Sequence, residues 1–281
     1  MIPTRLRRIA LPLLVTACLW QGGLADEPKP EVPLKFGGAL TGGRTEAVLS
    51  HADLEQAASV RVRVERDLEL QRAASLVGVP LADLSRLAGA TPGTDVLILR
   101  AADGYTSYVT QDYLERHRPM LVVRLDGQPP SRWPTTSYGA ALGPYLVSHE
   151  RFTPRPLLPG LPEPAAIPYA VVRVDFARSA DTLHRLHVPG TATNAVLRIG
   201  QELALRSCLS CHQAGDLGGT LAGRPWIVLG AWAKADPGYF RRYVRDPKSV
   251  NPASRMSGFK DWPEEALEAV RAYFAAYQPG S

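Results

Sequence analysis

The chain has 281 residues, of which 45% are apolar and 21% charged. That is long enough for two domains with cores of their own, and it excludes a disordered or fibrous class. The formal charge of +5 includes three arginines in a leader-like start, so the rest of the chain carries +2 and gives no basis for nucleic-acid binding.

Arg5, Arg7 and Arg8 precede an apolar run from Ile9 to Trp20, and Gly23-Leu24-Ala25 supplies small residues ahead of the polar Asp26-Glu27-Pro28. That order predicts a secretory signal peptide over residues 1–25, cleaved after Ala25, and hence a periplasmic protein. Val15-Thr16-Ala17-Cys18 is similar to a bacterial lipobox, in which Cys18 would carry a lipid anchor, but the site at Ala25 matches its pattern better. No later stretch approaches the roughly 20 apolar residues of a membrane helix.

Residues 26 to about 50 are rich in proline and glycine and predict an extended lead-in. Val60, Val62 and Val64 alternate with charged residues, the period-2 signature of a half-buried strand. Val79 to Gly89 predicts a short helix, with Leu81, Leu84 and Leu87 on one side and Gly89 as its stop. Strands are expected at Asp95–Leu99, Thr106–Val109 and Met120–Leu125, with turns at Asp103-Gly104 and Asp126-Gly127 and a helical stretch over Thr110–Arg118. Six prolines between Pro154 and Pro168 predict a stiff, extended surface connection, and Tyr169 to Phe176 reads as another strand. Val188 to Thr193 is read as a linker, after which the pattern turns helical. An α+β domain, mostly β, is therefore expected over residues 26–190 and an all-α domain over 191–281.

The second part holds Cys208-Leu209-Ser210-Cys211-His212, two of the three cysteines in the chain. Cys-x-x-Cys-His is the attachment motif of c-type haem. Two thiols so spaced can add across the two vinyl groups of one porphyrin edge, and the adjacent histidine is then held against the iron as an axial ligand. Leu209 and Ser210 are read as spacers. A structural disulfide and a thioredoxin-like pair are the rivals, but the motif does not follow a strand in a βαβ pattern, and a zinc site lacks further ligands.

An electron-transfer haem needs a second axial ligand. Met256 lies 44 residues after His212, among Pro, Ser and Gly residues of a loop, a poor place for core filler. Met120 is the other methionine beyond the leader. His184 and His187 are alternatives in a polar segment and read as surface residues. Asp236-Pro237 marks a helix start and Asp246-Pro247 a stop. Asp261 with Glu264 has the form of a capping box, and Leu267, Val270, Phe274 and Tyr277 form the stripe of a last helix.

On these features, residues from about 194 to 278 resemble a class I cytochrome c domain. The matching pieces are Gly200 eight residues before Cys208, the Cys208-Cys211-His212 motif, the loop from Asp246-Pro247 to Met256, and Ala272-Tyr273. The resemblance implies a helical fold in which first and last helices cross, with Gly200 near Tyr273, and His212/Met256 ligation of one covalent haem iron. Ala204 stands where an aromatic residue is common. Gly223-Arg224-Pro225 stands where Gly-Pro-x-Leu is usual, which leaves open what holds the His212 ring nitrogen.

Residues from about 60 to 176 resemble the sulfite-oxidase type of molybdopterin-binding domain. The resemblance rests on Gly78-Val79-Pro80-Leu81, Ala102-Asp103-Gly104-Tyr105, Leu125-Asp126-Gly127 and Gly143-Pro144-Tyr145. Enzymes of that family bind the metal through a cysteine as well as the pterin, yet residues 26–207 contain no cysteine. A cofactor-free relative, reused for docking or structure, is therefore expected, without molybdopterin.

The implied function is that of an exported monohaem cytochrome, a non-enzymatic protein carrying single electrons between a periplasmic dehydrogenase and the respiratory chain. The alternative is a fused molybdenum-pterin oxidoreductase with its own haem acceptor; a haem-based sensor with a displaceable axial ligand is a third class. Arg241, Arg242, Arg245, Lys248 and Arg255 lie on the helix and loop leading to Met256. They form either a solvated face or a basic collar that steers an acidic redox partner, and in the second case transfer slows as ionic strength rises.

Overall fold

The structure, a computed structural model, describes residues 31–136 and 139–278. The expected signal peptide over residues 1–25 and the lipobox-like stretch at Cys18 lie outside the described residues. No helix among those described is long and apolar enough to cross a membrane.

The first half is an α+β arrangement dominated by sheet. Strands β1 (Leu34–Gly38), β2 (Ala47–Leu49), β3 (Val60–Val64) and β4 (Ala74–Pro80) alternate with helices α1 (His51–Ala57) and α2 (Leu84–Ala88). There follow β5 (Val96–Ala101), β6 (Thr106–Thr110), α3 (Gln111–His117), β7 (Met120–Leu125), β8 (Leu146–Ser148), β9 (Pro156–Leu158), β10 (Leu161–Pro162) and β11 (Val171–Ala177). Five strands form one sheet in the order β2-β1-β11-β5-β6, and four form a second in the order β3-β4-β7-β8. β1 and β11 are parallel; the other pairs are antiparallel.

Three readings need correction. The lead-in is not merely extended: β1 is an interior strand of the five-stranded sheet, and Leu34 and Phe36 have no exposed surface. Its partner β11 lies well over a hundred residues away, so nothing local announces it. The proline-rich connection folds back on itself as the β9–β10 hairpin. The expected helix from Val79 begins late, because Val79 and Pro80 still pair with β7, and only Leu84–Ala88 is α-helical before Gly89 turns left-handed (φ 71°).

β5 explains how the halves meet. Its run of apolar residues is buried on both faces, as a covered strand requires. Leu97 and Leu99 enter the core between the two sheets with Phe36, Val109, Leu121, Val123 and Phe176. Val96 and Ile98 point the other way, into a core otherwise made mainly by helices. β7 divides its residues likewise, with Leu121 and Val123 facing the first core and Met120, Val122 and Leu125 facing a third. Met120 is thus core filler.

From residue 195 the described residues form helices and no strand: α4 (Ala195–Leu203), α5 (Trp226–Ala235), α6 (Pro237–Arg245), α7 (Pro247–Val250) and α8 (Glu264–Ala276). Asn194 caps α4 through its side chain, and Asp236 caps α6 by accepting from Tyr239 N at 2.8 Å. The capping box expected at Asp261 and Glu264 does not form: Pro263 is the N-cap of α8 and makes no side-chain cap bond. α4 crosses α8 at Gly200, where an added Cβ would stand 2.0 Å from the Ala269 carbonyl oxygen and 2.9 Å from Tyr273 Cβ. Ala204, beside that crossing, is fully buried.

Candidate functional site

α4 does not stop at Leu203. It widens into a π turn over Ala204–Cys208, a form often found at functional sites. The backbone then makes one more turn, with Cys211 N and His212 N both donating to Cys208 O, at 3.1 and 2.9 Å. Residues 208, 211 and 212 thus stand at i, i+3 and i+4, on one face of a helical turn. Two glycines let the following loop cross over this turn. A Cβ at Gly218 would lie 2.2 Å from the His212 carbonyl oxygen, and one at Gly219 would lie 1.9 Å from that of Ser210.

Cys208, Cys211, His212 and Met256 all line one cavity of about 920 Å³. The structure brings these four sequence-predicted residues together. Its apolar wall comes from Leu229, Phe240, Val244, Phe259 and Phe274, and it is completed from the strand half by Tyr105, Ile167, Pro168 and Tyr169. His184 and His187 are exposed and not part of it.

The His212 Nδ1–H donates to the Arg224 carbonyl at 2.7 Å. That bond fixes the tautomer and leaves the Nε2 lone pair as the ring's remaining ligand to a metal. Burial lowers the His212 pKa; the hydrogen bond to the Arg224 carbonyl pulls it back up in part and the Arg224 charge pushes it down a little, so burial prevails and the ring is neutral. The partner of the ring nitrogen is therefore Arg224, not Pro225. Both cysteines are free thiols. Burial pushes the Cys208 thiol up to about 12, and burial with the Asp103 charge raises that of Cys211. A thioredoxin-like pair needs a depressed thiol pKa, so its chemistry is disfavoured here.

Sequence reasoning missed the partners of the motif. Leu209 and Ser210 are more than spacers. Leu209 is fully buried in the helical core, and Ser210 is gripped by the β5–β6 turn. Thr106 N donates to Ser210 O at 3.0 Å, and the Tyr105 and Ser210 side chains hydrogen-bond. Thr220 N donates to Gly104 O at 2.9 Å, and Gly218 N to the Tyr108 hydroxyl at 2.7 Å. The Gly218-Gly219 pair after the motif was the one sequence signal of so close an approach.

Met256 is held by its loop. Its N–H donates to Ser254 Oγ at 3.3 Å, and that oxygen accepts from the Tyr243 hydroxyl at 3.1 Å. Of the basic residues, Arg241 and Arg245 are engaged inside the molecule, with Glu268 at 3.5 Å and Glu264 at 2.7 Å. Arg242, Lys248 and Arg255 are exposed, and the last two line the cavity mouth.

A second charged cluster sits at the seam of the two halves. Glu163, carried there by the β9–β10 hairpin, has a side chain with no exposed surface. It meets Arg116 at 2.7 Å, His117 and Arg206 at 3.1 Å and Arg155 at 3.7 Å. Arg206 is two residues from Cys208, so the cluster ties the strand half to the turn that bears the motif.

No protein-family model matches the sequence, and no curated protein matches it. Among solved structures, the sulfane dehydrogenase SoxCD from Paracoccus pantotrophus is similar at 17% identity and a TM-score of 0.35, over 52% of this chain and 38% of that one. The chain thus spans well under half the length of that protein, and a likeness so slight bears on neither fold nor activity.

Proposed function

We propose that the chain is an exported monohaem c-type cytochrome that passes single electrons between a periplasmic dehydrogenase and the respiratory chain. One observation carries this reading: two free thiols, a neutral imidazole with its Nδ1 already committed, and a thioether line a single cavity. The donor set fits a haem. Cys208 and Cys211 would hold it covalently and His212 and Met256 would be its axial ligands. A volume of about 920 Å³ is also ample for a cofactor-sized group.

Bound there, the haem would supply a one-electron Fe(III)/Fe(II) couple. The residues of this chain do the rest. Phe240, Val244, Phe259 and Phe274 exclude water, which favours the less charged, reduced iron. Arg224 keeps the imidazole oriented through its carbonyl, and burial keeps it neutral. Tyr105 and its neighbours cover the Cys211 side. An acidic redox partner would be met by Arg242, Lys248 and Arg255, which are free to face it, more than by Arg241 and Arg245.

The test is expression with the machinery that matures c-type cytochromes, followed by intact mass, an absorption spectrum, and iron and molybdenum counts on the pure protein. One iron, no molybdenum, and a mass increment of one haem that vanishes in Cys208→Ala/Cys211→Ala are expected. An apoprotein mass under those conditions refutes the proposal, and molybdenum equal to iron would instead establish the fused molybdenum-pterin oxidoreductase.

A further inference from the structure

Arg224 is joined to both candidate axial ligands, by its two ends. Its carbonyl accepts from His212 Nδ1 at 2.7 Å. Its guanidinium carbon lies 4.5 Å from the centre of the Trp232 ring and 5.5 Å from that of Tyr243. From there Nη1 donates to the Tyr243 hydroxyl at 3.2 Å, which donates to Ser254 Oγ, which accepts from Met256 N. Two sets of hydrogen bonds, joined through the covalent frame of Arg224, thus link the ring of one ligand to the backbone of the other. Tyr243 and Ser254 in the middle of it are buried. Among the described residues no carboxylate pairs with Arg224, so stacking and the Tyr243 hydroxyl are what hold its side chain.

We infer that Arg224 is a positioning residue that sets the His212 ring and the Met256 loop in one frame, so that Met256 is retained on the metal only while the Arg224 side chain is in place. The inference rests on the His212/Met256 ligation proposed above. A planar guanidinium between two aromatic rings gives a donor of fixed direction, which a lysine ammonium on a flexible stem does not. The carbonyl bond to His212 is main chain and survives every substitution at 224. Side-chain variants therefore report on the Met256 arm alone.

The experiment uses the full mature protein and imidazole as a competing ligand, titrated into the ferric form and followed by the Soret band. Arg224→Leu and Tyr243→Phe are expected to raise imidazole affinity about tenfold, the worth of one hydrogen bond. Arg224→Lys, which keeps the charge, should do nearly as much. Tyr243→Phe removes a single oxygen, so it keeps the test alive should Arg224→Leu fail to mature. Imidazole affinity equal to wild type in the variants that mature overturns the inference. If the wild type itself lacks the weak near-infrared band of sulfur-to-iron charge transfer, the Met256 ligation fails first and takes the inference with it.

Discussion

Replacing Glu163 by glutamine removes one charge and almost no volume, so cavity formation does not enter the cost. The carboxylate has no exposed surface and stands within 3.1 Å of Arg116, His117 and Arg206. Removing one partner from a fully buried ion pair costs about 3–5 kcal/mol. Here the three arginine side chains keep 20–43% of their exposure. Arg116 also keeps Asp112 at 2.7 Å, and Arg206 keeps Glu202 at 3.1 Å. The loss expected for Glu163→Gln is therefore nearer 2–3 kcal/mol, between the buried and surface limits. Urea unfolding followed by tryptophan fluorescence measures it, and a double-mutant cycle with Arg206→Gln should return a coupling of about 1–2 kcal/mol. Burial alone would raise the Glu163 pKa, but Arg116, Arg206 and His117 outweigh it and hold the carboxyl at about 2, against 4.5 when free. A group so depressed contributes its stability above pH 4.5 and loses it as pH falls through about 2. A loss under about 1 kcal/mol at pH 7, with no coupling to Arg206, would show that the cluster does not hold the seam.

Two further outcomes can be checked in the same way. Burial, with His117 adding to it, lowers the His149 pKa to about 4 from 6.5, so the unfolded chain binds the extra proton first, and stability should fall as pH drops from 6.5 through about 4. His149→Gln, which can still accept from the Tyr113 hydroxyl, should flatten that part of the profile; an unchanged slope refutes the assignment. Gly200→Ala should cost about 2–3 kcal/mol by driving α4 from α8, read as a drop in thermal midpoint, and a change of less than 1 kcal/mol would mean that the crossing is looser than the distances imply.

Local signals were legible and distant ones were not. The alternation at Val60–Val64, the apolar run of β7 and the Asp236-Pro237 start each carry their own cause within a few residues, and each forms as expected. The motif was read from the spacing of its thiols; that residues 208, 211 and 212 share one face of a helical turn comes from the fold. β1 was not, because only pairing with β2 and β11 distinguishes Leu34 to Gly38 from any extended segment. Glu163 was read as part of a proline-rich surface connection, and no pattern near it says that four cationic or imidazole groups from other elements converge there. Arg224 was seen only as a departure from Gly-Pro-x-Leu; that its carbonyl and its side chain serve different partners depends on where α5, α6 and the Met256 loop come to rest. The capping box failed because Pro263 takes the cap position itself.

β5 leaves the molecule without a natural place to be cut. Since Val96 and Ile98 are as thoroughly covered as Leu97 and Leu99, the strand is party wall to both halves. A fragment ending near residue 190 would bare oily side chains that the missing helices had sheltered, and a fragment beginning there would lack the masonry behind its motif. What the sequence spells as two consecutive units is, in the folded protein, one building with a shared partition.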